Sequence, residues 1–269
     1  MSIVFFTCAN ASYEDFVPLY AFSILAHIKD STVEIGVEDA KAFTALHRPT
    51  LSIIDETFGA GRLKLRNVSW RLPNGQRIVP NSVRFINCPI SKAEYVYIGD
   101  VDIIILDSDL VAQHLAYMKE TGLPYSNSVR PSSRRLSGLH FTRMDAHYPL
   151  PQFDDLNICR LNDERLLYEI ISRKTLPIQD KHWFRPVHGI HISPNRHPGR
   201  SQDLYGRPYP GWGIKNHIQS WKSLNQNLSF QKLRGLLSSR IRFCLDAIDE
   251  VAEGRKIPKY FDPYILNSL

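Results

Sequence analysis

The feature that most constrains this chain is the run EYVYIGDVDIIIL at residues 94–106, where two carboxylates one residue apart interrupt what otherwise reads as a buried β-strand. Tyr95, Val96, Tyr97 and Ile98 lead into Gly99, then Asp100 and Asp102 follow, and Ile103, Ile104 and Ile105 resume the apolar pattern. Charges at the end of a buried strand are costly without a compensating partner. Closely placed oxygen ligands suit a hard divalent cation, Mn²⁺ or Mg²⁺, that keeps open positions for phosphate oxygens. An Asp-x-Asp tripeptide alone is most often a pair of solvated turn carboxylates. Here apolar residues on both sides argue against an exposed loop, and Gly99 lets the backbone approach a ligand closely. The expectation is a metal site for a diphosphate.

With 269 residues, 43% hydrophobic and 22% charged, the chain can bury a full core in one large α/β domain. A net charge of +6 favours anionic partners such as nucleotide sugars, phospholipid surfaces or nucleic acid, without choosing among them. Cys8, Cys88, Cys159 and Cys244 are far apart and form no C-x-x-C pair, which argues against a zinc ribbon and fits reduced thiols in a cytosolic protein. No segment reaches the apolar length of a membrane span, and the first residues lack the basic region and cleavage site of a signal peptide, so a cytoplasmic location is expected. The absence of repeats and low-complexity tracts excludes a solenoid or a disordered scaffold.

Residues 3–8 form a continuous apolar strand, Phe16, Leu19, Tyr20, Phe22, Ile24 and Ile28 recur at helical spacing, and residues 33–37 give a second strand: a βαβ opening. Helices over 40–46 and 50–58 and a strand over 63–68 precede the acidic run. The pattern predicts an α/β fold with a parallel sheet flanked by helices. Ligands then sit beyond the carboxyl ends of the strands, where residues 7–10 and 100–102 share a crevice. The second half is more irregular, with strands predicted at 139–142 and 187–192, a helix at 163–172, and a Pro- and Gly-rich loop over 194–213 of the kind that can act as a lid. One long helix is predicted over 231–253, its apolar stripe packing on the domain.

Cys8-Ala9-Asn10 with Tyr13, Arg84 upstream of the acidic pair, Asp100-Val101-Asp102 and Ser137-Gly138 follow the order of elements in GT-A glycosyltransferases. The chain resembles family 8 of that superfamily over residues 3–200. The resemblance implies a Rossmann-like, mostly parallel sheet in a glycosyltransferase domain over 1–225, with nucleotide-sugar binding in 1–110, an acceptor and metal-closing part in 111–225, and a C-terminal helical extension over 226–269. It implies metal-dependent transfer of a sugar from a nucleoside diphosphate sugar, a UDP-sugar above all, to a saccharide or lipid-linked saccharide acceptor, in bacterial surface polysaccharide synthesis. By the same resemblance Ala9, Asn10 and Tyr13 hold the base, Asp100 and Asp102 the metal, and Arg84 the donor, while Ser137 and Gly138 line the sugar pocket. Asn162-Asp163-Glu164 resembles the acidic segment that touches the transferring sugar, making Asp163 and Glu164 the candidate catalytic carboxylates. Helix capping is a complete structural alternative for both, and Asp145 is a weaker candidate for the same role.

The family closes its metal site with a His on a late strand followed by a Gly and a Lys-Pro-Trp segment, and this chain has HGIHISPNRHP at 188–198 instead. His191 matches best, because Ser193, Pro194 and the basic Arg196 follow at about the family's spacing. His188, three residues away, would face the other side of a strand. Arg196 would join Arg84 in supplying fixed positive charge to the diphosphate.

Lys232, Arg234, Arg240 and Arg242, with aromatic Tyr260, Phe261 and Tyr264 in the tail, allow peripheral contact at the inner membrane face beside the plainer reading of a solvated basic face. Two rival readings remain. A haloacid dehalogenase-type phosphatase uses D-x-D after an apolar strand, but that motif normally opens its domain and three strands precede it here. A nucleic-acid-binding protein would suit the basic balance, yet the Arg and Lys residues are scattered among 27 acidic ones and no recognised motif appears, so no nucleic-acid partner is expected.

Overall fold

A strand as apolar as β1 (Ile3–Cys8) is stable only with both faces covered, and its burial meets that requirement along almost its whole length. The computed structural model describes residues 1–154, 156–178, 188–192 and 212–255. After β1 come α1 (Val17–His27), β2 (Ser31–Val37), α2 (Ala40–Leu46), α3 (Arg48–Phe58), β3 (Leu63–Asn67), α4 (Val83–Ile86), β4 (Tyr95–Ile98) and β5 (Ile103–Ile105). The chain continues with α5 (Leu110–Thr121), β6 (Tyr125–Ser126), β7 (Val129–Arg130), β8 (Arg135–Leu136), β9 (His140–Arg143), α6 (Met144–His147), α7 (Asp163–Arg173), β10 (Gly189–His191), α8 (Ile218–Gln226), α9 (Leu228–Leu236) and α10 (Ser239–Ala252).

Six strands form the main sheet in the order β3-β2-β1-β4-β9-β6. The first four run parallel, β9 lies antiparallel to β4, and β6 is antiparallel to β9, so the sheet is mixed but mostly parallel. Alternation along the strands sorts the core into two layers. Ile3, Phe5, Val33, Ile35 and Tyr97 face α1, α3 and the C-terminal helices, whereas Val4, Phe6, Val96 and Ile98 face Phe85 and the Leu166, Leu167, Ile170 and Ile171 stripe of α7. The architecture is the expected α/β sheet flanked by helices.

Two expectations need correction. The apolar run around the acidic pair is two strands in two sheets: β4 belongs to the main sheet, and after a turn at residues 99–102 β5 pairs antiparallel with β10. The helix expected over 231–253 is also two helices. Leu237 is extended (φ −67°, ψ 155°), and the Ser238 hydroxyl accepts a hydrogen bond from the Ile241 N–H, so a helix cap falls where the apolar periodicity runs straight through. α3 starts two residues earlier than predicted because Pro49 sits in its first turn, where the missing N–H costs nothing. Of the strand expected over 187–192, Val187 lies outside the described residues, as does the predicted loop from 194 to 211.

The C-terminal helices share the main core. Phe230 of α9 packs on Phe22 of α1 at 5.5 Å between ring centroids, and Leu233, Ile241, Leu245 and Ile248 are fully buried. Arg234 is bound to Asp246 at 2.6 Å and Asp249 at 2.7 Å, so part of the positive charge noted in the sequence is neutralised within the fold. No helix among the described residues is long and apolar enough to cross a membrane.

Glu34 on β2 is fully buried and accepts hydrogen bonds from Arg66 Nε (2.8 Å) and from the backbone N–H groups of Ile90 (2.8 Å) and Ser91 (2.9 Å), tying the sheet edge to the segment leading into β4. Removing one member of a buried pair strands the others without a partner. Glu34→Ala is therefore expected to lower unfolding free energy by about 3–5 kcal/mol in urea denaturation, with Glu34→Gln losing less because its carbonyl oxygen still accepts.

Candidate functional site

The turn after β4 brings Asp100 and Asp102 to the carboxyl end of the parallel strands, beside the end of β1. Thr7 fastens it there, its hydroxyl donating to the Gly99 carbonyl at 2.7 Å. The β5–β10 pair then supplies the next element. His191 is in register with Ile103, and the Ile192 N–H donates to the Asp102 carbonyl at 2.9 Å, which sets the imidazole over the second aspartate. So close is this pairing at its other end that a Cβ on Gly189 would collide with the Ile104 carbonyl oxygen, and only glycine fits.

His191 Nε2 lies 3.1 Å from Asp102 Oδ1, and one ligand atom each from Asp100, Asp102 and His191 falls within 4.8 Å of the others. Two donors each about 2.1 Å from an octahedral cation and at right angles to one another lie about 3 Å apart, so the Asp102–His191 spacing matches one edge of such a site. Two carboxylates and an imidazole suit Mn²⁺ or Mg²⁺ and leave coordination positions for other oxygens.

Behind Asp100 stands Arg84 of α4, whose side chain is only 5% exposed. Its Nη2 is 2.8 Å from Asp100 Oδ1, 2.8 Å from Asp163 Oδ2 and 3.2 Å from the Gly138 carbonyl oxygen. Gly138 has to lack a side chain here, since a Cβ would sit 2.7 Å from Asp163 Oδ2 and 2.8 Å from Arg84 Nη2. The helix cap on α7 is Asn162, whose side chain accepts from the Arg165 N–H at 3.0 Å, and Asp163 is thereby turned toward Arg84 and Asn81 Nδ2 (3.0 Å). Burial pushes the Asp163 carboxyl above the usual carboxylate range, Arg84 pulls it back, and Asp100 adds to the rise. Glu164 points instead to Arg130, at 3.1 Å.

These groups line one cleft of about 700 Å³, which gathers Asn10, Tyr13, Arg84, Asp100, Asp102, Ser137, Gly138, Asp163, Glu164 and His191. Ala9 is not among its lining residues: it is fully buried, and its N–H donates to Gly36. His188 is buried in the interior, edge-on to Tyr97 and stacked against His114 at 5.3 Å, and lies outside the Asp100–Asp102–His191 group. Asp145 is exposed and pairs with Arg143, away from the cleft. Arg196 lies outside the described residues.

Several residues in the cleft wall or behind it escape sequence reasoning. Asn127 holds the Ser137–Gly138 segment, donating to the carbonyls of Ser137 and Leu139 (3.0 Å each) and accepting from the Ser137 N–H (2.8 Å). Trp70, Asn81 and Arg130 line the wall. A tryptophan in the polar, turn-rich stretch around 69–77 is the one available signal. From the other end of the chain, Arg240 of α10 donates to the Ser12 carbonyl at 2.8 Å and lies over the Phe16 ring, on which Tyr13 stacks at 5.6 Å. The Cys8 thiol, also in the cleft wall, is half-buried, and burial pushes it up to about 12.

No known family profile matches the chain, and no curated protein matches it. Among solved structures it is similar to an active-site mutant of LgtC at 17% identity and TM-score 0.36, an overlap covering 54% of this chain and 58% of that one. It is similar to the glycosyltransferase GlyE of Streptococcus pneumoniae at 11% identity, covering 64% of this chain and 43% of that one with TM-score 0.43. The mannosyltransferase PcManGT of Pyrobaculum calidifontis, in complex with GDP-Man and Mn²⁺, overlaps 99% of this chain and 78% of its own at 11% identity and TM-score 0.42. The match thus spans less than two thirds of the LgtC mutant's length, and the functional reading rests on the site's own geometry.

Calorimetric titration with Mn²⁺ checks the cation site. Asp102→Asn and His191→Ala are each expected to weaken binding about tenfold or more. His188→Ala is expected to lower the melting temperature through a lost core contact and leave Mn²⁺ affinity as in the wild type.

Proposed function

We propose that the protein is a divalent-metal-dependent glycosyltransferase of the GT-A type, transferring a sugar from a nucleoside diphosphate sugar, a UDP-sugar in the first instance, to a saccharide or lipid-linked saccharide acceptor. The observation that carries the reading is the convergence in one cleft of the Asp100–Asp102–His191 group with the buried Asp100–Arg84–Asp163 ion-pair chain. A cation site alone would fit many activities. A cation site adjoining a buried guanidinium and a second, separately held carboxylate fits a substrate with an anionic leaving group at one end and hydroxyls at the other.

Bound Mn²⁺ or Mg²⁺ supplies neutralisation of the negative charge that develops on the departing diphosphate, without proton transfer. The protein's own residues do the rest. Asp100, Asp102 and His191 hold the cation. Asn10 and Tyr13 border the cleft at the end of β1, the base-holding position that the family resemblance implies. Asp163, fixed by Arg84 and Asn81, presents a carboxylate to the sugar in the gap left by the missing side chain of Gly138. We place donor binding in residues 1–110, acceptor binding and closure of the cation site in 111–225, and the helical extension in 226–269. The surface-polysaccharide setting rests on the family resemblance alone. A phosphatase reading is less well supported, because Asp100 follows the fourth strand in chain order and is ion-paired to Arg84 instead of standing ready as a nucleophile.

Thermal denaturation with UDP, with Mn²⁺ and with both provides the test. Stabilisation by the pair beyond the sum of its parts is expected, since a cation held by Asp100, Asp102 and His191 would raise the affinity for the diphosphate, and each tenfold gain in affinity with ligand in excess adds about 1.4 kcal/mol. Asp100→Ala and Asp102→Ala should each lose that joint stabilisation and metal-dependent turnover. Undiminished turnover in EDTA would overturn the proposal.

A further inference from the structure

The flank of the cleft beyond Asp163 is rich in arginine, and donor binding does not account for it. β7 and β8 form a short hairpin, with Val129 opposite Leu136 and Arg130 opposite Arg135, that carries Arg130, Arg134 and Arg135 within six residues. The hairpin leans on α7, where Glu164 meets Arg130 at 3.1 Å and Arg135 at 3.7 Å and Glu169 meets Arg134 at 3.2 Å. Three guanidinium groups therefore face two carboxylates. The Arg134 side chain is 65% exposed and that of Arg135 41%. Pairs so exposed add little to stability, so latching the hairpin is a weak reason for the excess of positive charge.

The backbone points the same way. Arg134 has φ +50°, in the left-handed region that suits glycine or asparagine and is unfavourable for a long side chain. Of the three arginines only Arg130 lines the cleft; Arg134 stands on the hairpin turn beside it, and strain of this kind is a pointer to function. What arginine brings there is a planar fork of donors that binds a carboxylate or phosphate two oxygens at a time.

Position identifies the substrate that would meet this surface. The ion-pair chain runs from Asp100 through Arg84 to Asp163, and Glu164, the next residue, continues it to Arg130 in the cleft wall. Asn10 and Tyr13 belong to the end of β1, on the side of the cation site. The hairpin lies past Asp163 from the Asp100–Asp102–His191 group, and under the glycosyltransferase reading this is the side left to an acceptor.

We propose that the β7–β8 hairpin binds anionic groups of the acceptor, and that this acceptor is an acidic saccharide. The proposal rests on the glycosyltransferase reading for naming the bound saccharide an acceptor. The charge preference itself can be measured independently of that reading.

The experiment compares a hexamer of galacturonic acid with neutral maltohexaose by calorimetry on the full chain, without metal or nucleotide, at low and high ionic strength. The wild type is expected to bind the hexauronate about tenfold more tightly than maltohexaose at low salt, with the gap closing as salt screens the arginines. Arg134→Gly with Arg135→Gln is expected to remove that preference and leave UDP with Mn²⁺ bound as before. Arg134→Gly also relieves the left-handed strain, and Arg135→Gln alone repeats the measurement with the turn untouched, so a folding defect cannot stand in for lost binding. Equal affinity for the two hexamers, or a hexauronate affinity that both variants retain, would overturn the proposal. So would sedimentation with phosphatidylglycerol vesicles that depends on Arg134 and Arg135 while the hexauronate fails to bind, which would assign the surface to lipid. Loss of UDP and Mn²⁺ binding in the wild type would instead remove the donor reading and leave the hexamer comparison standing.

Discussion

The buried guanidinium of Arg84 is the interaction on which the cleft depends. Two carboxylates, Asp100 and Asp163, come from segments more than sixty residues apart in the chain, and each is 2.8 Å from the same nitrogen of Arg84. Burial opposes the charge on Arg84, but Asp100, Asp163 and Asp102 together outweigh it and hold the group protonated. Without that cation the two carboxylates would face one another with no positive partner between them, Asp163 at 13% exposure being the more sheltered of the two and Asp100 at 28% the less. Both carboxylates and the Gly138 carbonyl converge on that one nitrogen, and a guanidinium keeps its charge there against burial.

Around this ion chain the fold supplies two independent supports. The main sheet fixes Asp100 through the Thr7 bond to Gly99, and the minor β5–β10 sheet fixes His191 over Asp102. The Asp100–Asp102–His191 group thus spans a junction between two sheets, so its geometry depends on their relative placement. Gly189 is where that dependence is tightest, since a methyl group there would push β10 from β5 and carry His191 away from Asp102.

How much of this is legible in the sequence depends on the range of the forces involved. The βαβ opening, α7 and the location of the acidic pair are set by local apolar periodicity, and the structure places them where periodicity puts them. The break between α9 and α10 is hidden because a single serine cap carries it and the apolar stripe continues across it. Asp163 illustrates a subtler limit. At the first turn of a helix an acidic residue is explained by capping, and only the observation that Asn162 fills that role turns the carboxylate toward Arg84. Asn127 is invisible for the opposite reason: its function is to hold backbone ten or more residues away, and no local pattern marks such a residue.

The C-terminal helices show that a sequence boundary need not be a physical one. Their apolar residues complete the core over α1, and Arg240 reaches back to hold the Ser12 carbonyl while lying over Phe16. Tyr13, stacked on the same Phe16 ring, has its hydroxyl pushed up by burial first and by Asp102 second, which places it within the electrostatic reach of the acidic pair. The loop after β1 is therefore fixed from both ends of the chain, by the β1 backbone on one side and by α10 on the other. Removing the helices would cost the core its cover and would also free the segment bearing Tyr13, so the two ends of the chain act as one structural unit at the cleft.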